Sequence, residues 1–471
     1  MLFPTAEYGL FFLACFAAAW GLRRRLVARK WFLLAASYAF YSFGEWRFLP
    51  LLIGVSLLAA LIARQLQVEP RPGVKKALLT SGIAAVLSTL AIFKYLGFAA
   101  TTVAALLGFL GLSTSWVRLP EIALPVGLSF FVFHAISLMV DTWRGKIPVR
   151  VTVLDSLLYV AFFPQLVAGP IVRASSFLPQ LAAPPDPEAI DGARALELIV
   201  AGLVKKTLIA NFLATRLVDP VFESPSLHGG LEALLAVYGY AVQIYCDFSG
   251  YTDIAIGSAL LLGYRFPENF DSPYLARSPQ EFWRRWHLSL SSWLRDYLFI
   301  PLGGSRRGET RTGLNLAITM VLGGLWHGAA WTFVAWGALH GSGLLVHRRG
   351  VEAGGAVARL RASRGWPLAA QLLTFHFVCL GWILFRSPTL EIAAELLGAI
   401  GLKWAAGLGV AIVAIVAGLL GHVLPARLGE QIRARFARQP LVLQGATLAF
   451  SVLLLEAFGP QGVAPFIYFR F

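Results

Sequence analysis

Residues 312–347 read TGLNLAITMVLGGLWHGAAWTFVAWGALHGSGLLVH. These 36 consecutive residues hold no Asp, Glu, Lys or Arg, yet contain three histidines (His327, His340, His347) and three tryptophans (Trp326, Trp331, Trp336). A helix rises about 1.5 Å per residue, so the run is far longer than the roughly 20 residues that cross a bilayer. It must form two segments, or one long helix broken at Gly323-Gly324. His327 lies close to the middle, where lipid offers an imidazole no water. A polar side chain kept at that depth is expected to face a cavity and to serve function. His340 and His347 lie nearer the far end, before Arg348 and Arg349, and are read as structural.

The chain around this run has the same character. It is 57% hydrophobic and only 14% charged, with a mean hydropathy of +0.68, whereas soluble domains carry about a quarter charged residues. Apolar stretches recur from Tyr8–Trp20 to Leu441–Phe458, including Leu119–Val140 and Trp404–Leu424. They predict an all-α, polytopic integral membrane protein with roughly 11 to 13 membrane-embedded helices, some re-entrant or interfacial. No polar stretch is long enough to fold alone, so residues 1–471 are read as a single membrane domain with its chemical core at about 238–347.

The excess of 40 Lys+Arg over 25 Asp+Glu is what cytoplasmic loops of a polytopic protein carry, and nucleic acid is not expected as a partner. Met1–Leu22 contains no Lys or Arg, whereas Arg23, Arg24, Arg25, Arg29 and Lys30 follow the first apolar stretch. That bias predicts an external N-terminus and a cytoplasmic Arg23–Lys30 loop. The N-terminal run lacks a basic n-region and a small-residue cleavage site, so its retention is expected. Cys15, Cys246 and Cys379 lie unpaired in apolar segments, and no metal-ligand spacing is present. No metal or bound cofactor is therefore predicted.

Two segments before the uncharged run carry further chemistry. In Gln243–Asp253, two carboxylates and several hydroxyls interrupt an apolar stretch, with Gly250 able to relax the helix. Asp247 and Asp253 lie about 240° apart around a helix, so they form no paired-carboxylate site unless it breaks. They are expected to cap a broken helix or pair with arginines of the next segment, or else, as with Asp247 and Tyr251, to touch substrate. In Phe282–Pro301, the residues Phe282, Trp286, Leu290, Trp293 and Tyr297 fall within about 80° on a helical projection, with Trp283, Leu294 and His287 extending that face. Arg284, Arg285 and Arg295 lie opposite. This predicts an interfacial or re-entrant helix on the cytoplasmic side. Its arginines are either positive-inside residues or a grip for the phosphates of a nucleotide-containing donor.

Read together, Tyr245–Asp253, Asn269-Phe270, Ser272-Pro273-Tyr274, Phe282–Leu290, Trp293–Tyr297, Ile300–Gly304 and Gly324–Gly328 resemble the membrane-bound O-acyltransferase family. They are most similar to its bacterial branch that acetylates alginate. The tail Phe466–Phe471 resembles that branch as well. The resemblance implies that His327 is the catalytic histidine and His287 the second motif position, which is histidine in polysaccharide-acetylating members. It further implies helices ringed around a tunnel and acetyl-CoA as the donor. Acetyl is then passed to a periplasmic protein of a polysaccharide-acetylation complex, from a multi-pass enzyme of the bacterial inner membrane surrounded by its lipids. Asp247, Tyr251, Asn269, Trp283, Arg284, Arg285, Trp286, Trp326 and Trp331 are expected near donor or substrate.

Chemically, an imidazole with an ordinary pKa near 6.5 can take the proton of an acceptor hydroxyl. The oxyanion formed on the thioester needs a donor: His287, a Trp N–H or a backbone amide near Gly328. The acceptor polymer stays open among alginate, cellulose, peptidoglycan and other envelope glycans. A flippase for a lipid-linked sugar is the competing class, since intramembrane Asp247, Asp253 and His327 also suit proton coupling. The lack of an internal repeat weighs against it.

Overall fold

The computed structural model describes residues 3–114, 117, 122–352, 356–401, 408–424 and 426–458. The aromatic tail Phe466–Phe471 and parts of the Leu119–Val140 and Trp404–Leu424 stretches lie outside the described residues. Among those described, the regular structure is helical, apart from one isolated parallel bridge between Gly230 and Ile400. Four continuous helical stretches are long and apolar enough to cross a membrane: Leu26–Val68, Pro72–Phe109, Gly192–Glu223 and Trp366–Arg386. Shorter apolar helices include Ala6–Gly21, Leu128–Trp143 and Gly409–Leu420. Large apolar side chains such as Leu61, Leu106, Phe109, Leu373 and Val413 are exposed along them. That is stable where the surrounding medium is acyl chain and every backbone polar group is satisfied within the helix. The chain is an all-α, multi-pass membrane protein.

Two compact units are distinguished. The first comprises residues 1–192 and 255–267. Within it, the helix Leu26–Glu45 begins earlier than the sequence reading allowed, and this changes the role of two basic residues. Arg29 is buried and donates to the Ala19 carbonyl at 3.2 Å, the Tyr264 hydroxyl at 2.5 Å and the Leu262 carbonyl at 2.5 Å. Lys30 pairs with Asp155 at 2.6 Å. Both were expected as loop charges. They are tertiary ties, because a buried cation is tolerated only with partners.

The second unit comprises residues 193–254 and 268–471, and it holds the motif core. The helix Leu231–Leu261, whose residues up to 254 belong to this unit, runs 31 residues without a break. Gly250 does not relax it. A Cβ at Gly250 would lie 2.7 Å from the Gly202 carbonyl oxygen, and one at Gly202 would meet the Gly250 carbonyl and Ile254. The two glycines therefore let the helix Gly192–Leu203 pack backbone to backbone against the longer one.

The uncharged run is a helical hairpin. Gly308–His327 is one unbroken helix through Gly323-Gly324, and the chain turns only at Gly328-Ala329-Ala330 before Trp331–Glu352 returns. The expected break at the double glycine does not occur. Gly324 is needed instead because any Cβ there would strike the Phe333 carbonyl, and Gly337 likewise abuts Met320.

Candidate active site

His327 is the last residue of its helix and is buried. Rings of Trp326, Trp336 and Phe385 lie 4.9, 5.1 and 5.1 Å from the imidazole, centroid to centroid. Electrostatically it stands between two helix ends. The carbonyl end of Gly308–His327 favours positive charge, and the positive dipole end of Trp331–Glu352 follows it, with the Phe333 and Val334 N–H groups donating to the Ala330 carbonyl at 3.1 and 3.3 Å.

His287 is built differently from the sequence expectation. Phe282–Tyr297 is not one helix: Pro279–Trp283 ends, the chain turns, and Leu288–Leu294 begins with His287 as its N-cap at φ 44°. A left-handed conformation is uncommon for a residue with a side chain, though histidine is among those that adopt it. It is held by backbone pairing with the preceding loop, where Leu288 N–H donates to the Asn269 carbonyl and Asp271 N–H to the Arg285 carbonyl, each at 2.9 Å. The turn swings the imidazole fully inside, 4.6 Å from the Phe248 ring and 6.1 Å from Trp326, whose indole also packs on His327.

One side chain sets the protonation of His287. Asn269 faces the Ser289 backbone N–H at 3.1 Å, the Ser289 hydroxyl at 2.9 Å and His287 Nδ1 at 3.1 Å. A backbone N–H can only donate, so the Asn269 atom facing it must be the carbonyl oxygen. His287 Nδ1 must then carry its proton toward that oxygen. In the neutral ring Nε2 bears the lone pair, and among the described residues it has no hydrogen-bond partner. This corrects one sequence option: neutral His287 offers Nε2 as a proton acceptor and not as an oxyanion donor. Asn269, expected near the donor, orients His287.

The other expected residues divide. Trp286 is buried against Phe270, Phe282 and Trp382 at 5.0, 5.5 and 4.9 Å, and Trp326 lies between the two histidines. Trp283 and Arg284 line a cavity of about 730 Å³ together with Leu288, Ser291, Ser292, Arg295, Thr319, Met320, His347 and Arg348. Arg284 is exposed and has no ion pair among the described residues, whereas Arg295 pairs with Asp296 at 2.8 Å and Arg348 with Glu309 at 3.6 Å. Arg285 is engaged elsewhere, with Glu281 at 2.9 Å and Asp271 at 3.5 Å. Trp331, expected near donor or substrate, is 54% exposed.

Asp247 and Asp253, expected to cap a broken helix, pair with arginines or touch substrate, meet two lysines of the preceding helical stretch. Asp247 is buried against Lys206, and Asp253 meets Lys205 at 2.5 Å, with the Lys205 ammonium also on Ser249 Oγ at 3.0 Å. Both lysines sit in a π-helical segment, Val204–Ala210, of the neighbouring helix. A widened turn places two consecutive lysines toward the same helix, which no linear spacing foretells. Tyr251 is buried on that helix.

His340 was read from the sequence as structural. It is fully buried among Trp336, Trp283 and Phe377 at 4.7, 5.2 and 5.3 Å. The i+4 spacing of Trp336, His340, Leu344 and Arg348 was the available signal, since these form one ridge along the helix.

A profile of the membrane-bound O-acyltransferase family matches residues 126–349. The chain is 37% identical over 403 residues to "Probable alginate O-acetylase" of Pseudomonas putida, covering 85% of this chain and 80% of that protein. It is 39% identical over 367 residues to the protein of the same name in Azotobacter vinelandii, covering 78% and 71%. It is also 35% identical over 432 residues to "Peptidoglycan O-acetyltransferase" of Helicobacter pylori, covering 85% and 78%. The match spans the histidine cluster, the arginine-lined cavity and the hairpin together, and the chain belongs to the membrane-bound O-acyltransferase family, as an O-acyltransferase.

Proposed function

We propose that this enzyme moves acetyl groups from a cytoplasmic thioester, acetyl-CoA by default, onto hydroxyls of an exported or envelope polysaccharide, with His327 as general base. The single observation that carries the reading is the position of His327. It lies at the junction of two helix ends, walled by aromatic rings, in the same unit as an arginine-lined cavity of about 730 Å³. That volume is ordinary for a ligand site. Arg284, Arg295 and Arg348 suit the phosphates of a nucleotide-bearing donor. Residues 277–311 then face the cytoplasm, and the N-terminus faces the periplasm of an inner-membrane protein.

In the reaction, the acceptor oxygen forms a bond to the thioester carbonyl carbon while its proton passes to His327. The positive charge that develops on the ring is favoured by the carbonyl end of its own helix. The negative charge on the carbonyl oxygen is favoured by the positive dipole end of Trp331–Glu352. The carbon–sulfur bond then breaks, and the thiolate recovers the proton from the imidazolium. His287, with Nδ1–H held by Asn269, offers Nε2 as an acceptor for a second hydroxyl of the acceptor sugar, beside the one that attacks.

Relatives named for alginate and for peptidoglycan bracket the acceptor. Alginate is the first candidate, and a periplasmic acetyl-accepting protein is the expected immediate partner. The test is His327→Ala: membrane abundance unchanged and acetyl transfer to polymer reduced at least about 10²-fold, the scale of general-base loss. Normal polymer acetylation in this variant overturns the assignment.

A further inference from the structure

The first unit, residues 1–192 and 255–267, holds a basic cavity of its own, of about 670 Å³. It is lined by Leu61, Arg64, Gln65 and Val68 of the helical stretch ending at Val68, and by Arg150 of the loop that follows Leu128–Trp143. Two arginines share this cavity without a carboxylate. Neither Arg64 nor Arg150 has an ion pair among the described residues. The acids nearest to them in sequence are already engaged: Glu69 with Arg71 at 2.8 Å, Asp155 with Lys30 at 2.6 Å, and Asp141 with the Ser175 hydroxyl at 2.8 Å.

The loop is fixed there. The Gln67 side-chain N–H donates to the Val149 carbonyl at 3.0 Å, and its side-chain oxygen accepts from Val151 N–H at 2.9 Å. This clamp brackets residue 150, so Arg150 is held on the same cavity as Arg64 despite like-charge repulsion. An anion bound between the two guanidinium groups relieves that repulsion. The cavity also has an apolar approach. Leu61, Arg64, Gln65 and Val68 stand at i, i+3, i+4 and i+7 on one helix face, and all four are exposed. Leu57, one turn earlier, extends the face and is exposed as well. In a stretch long and apolar enough to cross a membrane, Leu57 and Leu61 meet acyl chains, and Arg64 and Gln65 reach the headgroups. The loop carrying Arg150 begins just after Trp143, an exposed tryptophan of the kind that sits at a membrane–water boundary. A free anion has no use for the apolar part of this face.

We propose that this cavity binds the phosphate of an anionic phospholipid, gripped by Arg64 and Arg150, with the acyl chains laid along Leu61 and Leu57. Basic pockets between membrane helices suit anionic headgroups, and the two guanidinium forks suit a phosphate. Gln67 is a positioning residue: it touches no lipid in this role and acts by holding Arg150. The site gives the first unit a specific lipid ligand, and it stands independently of the acetyl-transfer reading.

The test titrates the purified full-length protein in detergent with phosphatidylglycerol, phosphatidylcholine or glycerol 3-phosphate, and reads the dissociation constant of the first adduct by native mass spectrometry. Phosphatidylglycerol is expected to bind tightest. Arg64→Gln with Arg150→Gln should weaken that adduct about 10- to 30-fold and leave the phosphatidylcholine adduct unchanged. Lys75→Gln with Lys76→Gln removes the same charge from the start of the next helix and should leave phosphatidylglycerol binding as it was. Gln67→Leu removes no charge but frees the loop, and it should weaken phosphatidylglycerol binding too. Equal weakening by the two double variants, or none by the arginine pair or by Gln67→Leu, would overturn the proposal. So would a wild type that binds phosphatidylcholine as tightly as phosphatidylglycerol. Glycerol 3-phosphate binding as tightly as the lipid would make the ligand a free phosphate and overturn the lipid assignment.

Discussion

Substituting Asn269 separates a histidine that is held for chemistry from one that merely fills space. The Asn269 carbonyl oxygen accepts from Ser289 N–H, the Ser289 hydroxyl and His287 Nδ1–H at 3.1, 2.9 and 3.1 Å. In Asn269→Leu the hydroxyl can rotate away, which leaves two buried donors unpaired at about 1–3 kcal/mol each. The fold should therefore lose roughly 2–6 kcal/mol, and the imidazole loses what fixes its tautomer and direction. Holding a catalytic imidazole in one tautomer by a third group is worth up to about 10⁴-fold in a hydrolase triad. Here a neutral amide plays the part, so a fall on the order of 10²-fold is expected. Asn269→Asp keeps an acceptor at the same place and should rank between wild type and Leu. Initial rates of labelled acetyl transfer, normalised to folded protein in membranes, read the order directly. Asn269→Leu matching wild type, or Asn269→Asp falling below Leu, refutes the reasoning.

Three further outcomes follow from the same structure. Asp247→Asn strands the buried Lys206 ammonium and should cost about 3–5 kcal/mol, seen as a lower unfolding midpoint in detergent; Lys206→Met added to Asp247→Leu should recover most of it. An unchanged midpoint in Asp247→Asn would show that the pair is not buried as described. Gly250→Leu drives a side chain into the Gly202 carbonyl and should abolish a monodisperse, folded species on gel filtration; a normal profile would contradict the close helix contact. Ser305→Cys should react only with a membrane-permeant maleimide, since seven arginines lie in residues 277–311 against Glu281, Asp296 and Glu309. Labelling by an impermeant reagent in intact cells would reverse the topology.

How much of the site was legible depended on what each signal measures. Hydropathy over 36 uncharged residues identifies a membrane-embedded segment, because excluding water from a backbone leaves few structures to choose from. Motif text located His327 and His287 for the same reason that both are costly inside lipid. Helical projection failed for Phe282–Tyr297, since it assumes continuous α geometry, and His287 at φ 44° breaks that assumption. The spacing of Asp247 and Asp253 told correctly that the two acids face apart, but not that lysines at 205 and 206 would answer them.

Composition and the order of residues thus determined that the chain is all-helical and lies in a membrane. Tertiary structure decided which polar groups are in use. The hairpin turns after His327 and not at Gly323-Gly324; Gly324 answers instead the close pass of the Phe333 carbonyl, and Gly337 that of Met320. Asn269 became the partner of His287 across an interval of 18 residues, and His340 was packed between Trp283 and Trp336. Periodicity reports which face of one helix is apolar. It carries no information about which neighbouring helix supplies the opposing hydrogen bond, and that pairing is what distinguishes a buried histidine at work from one at rest.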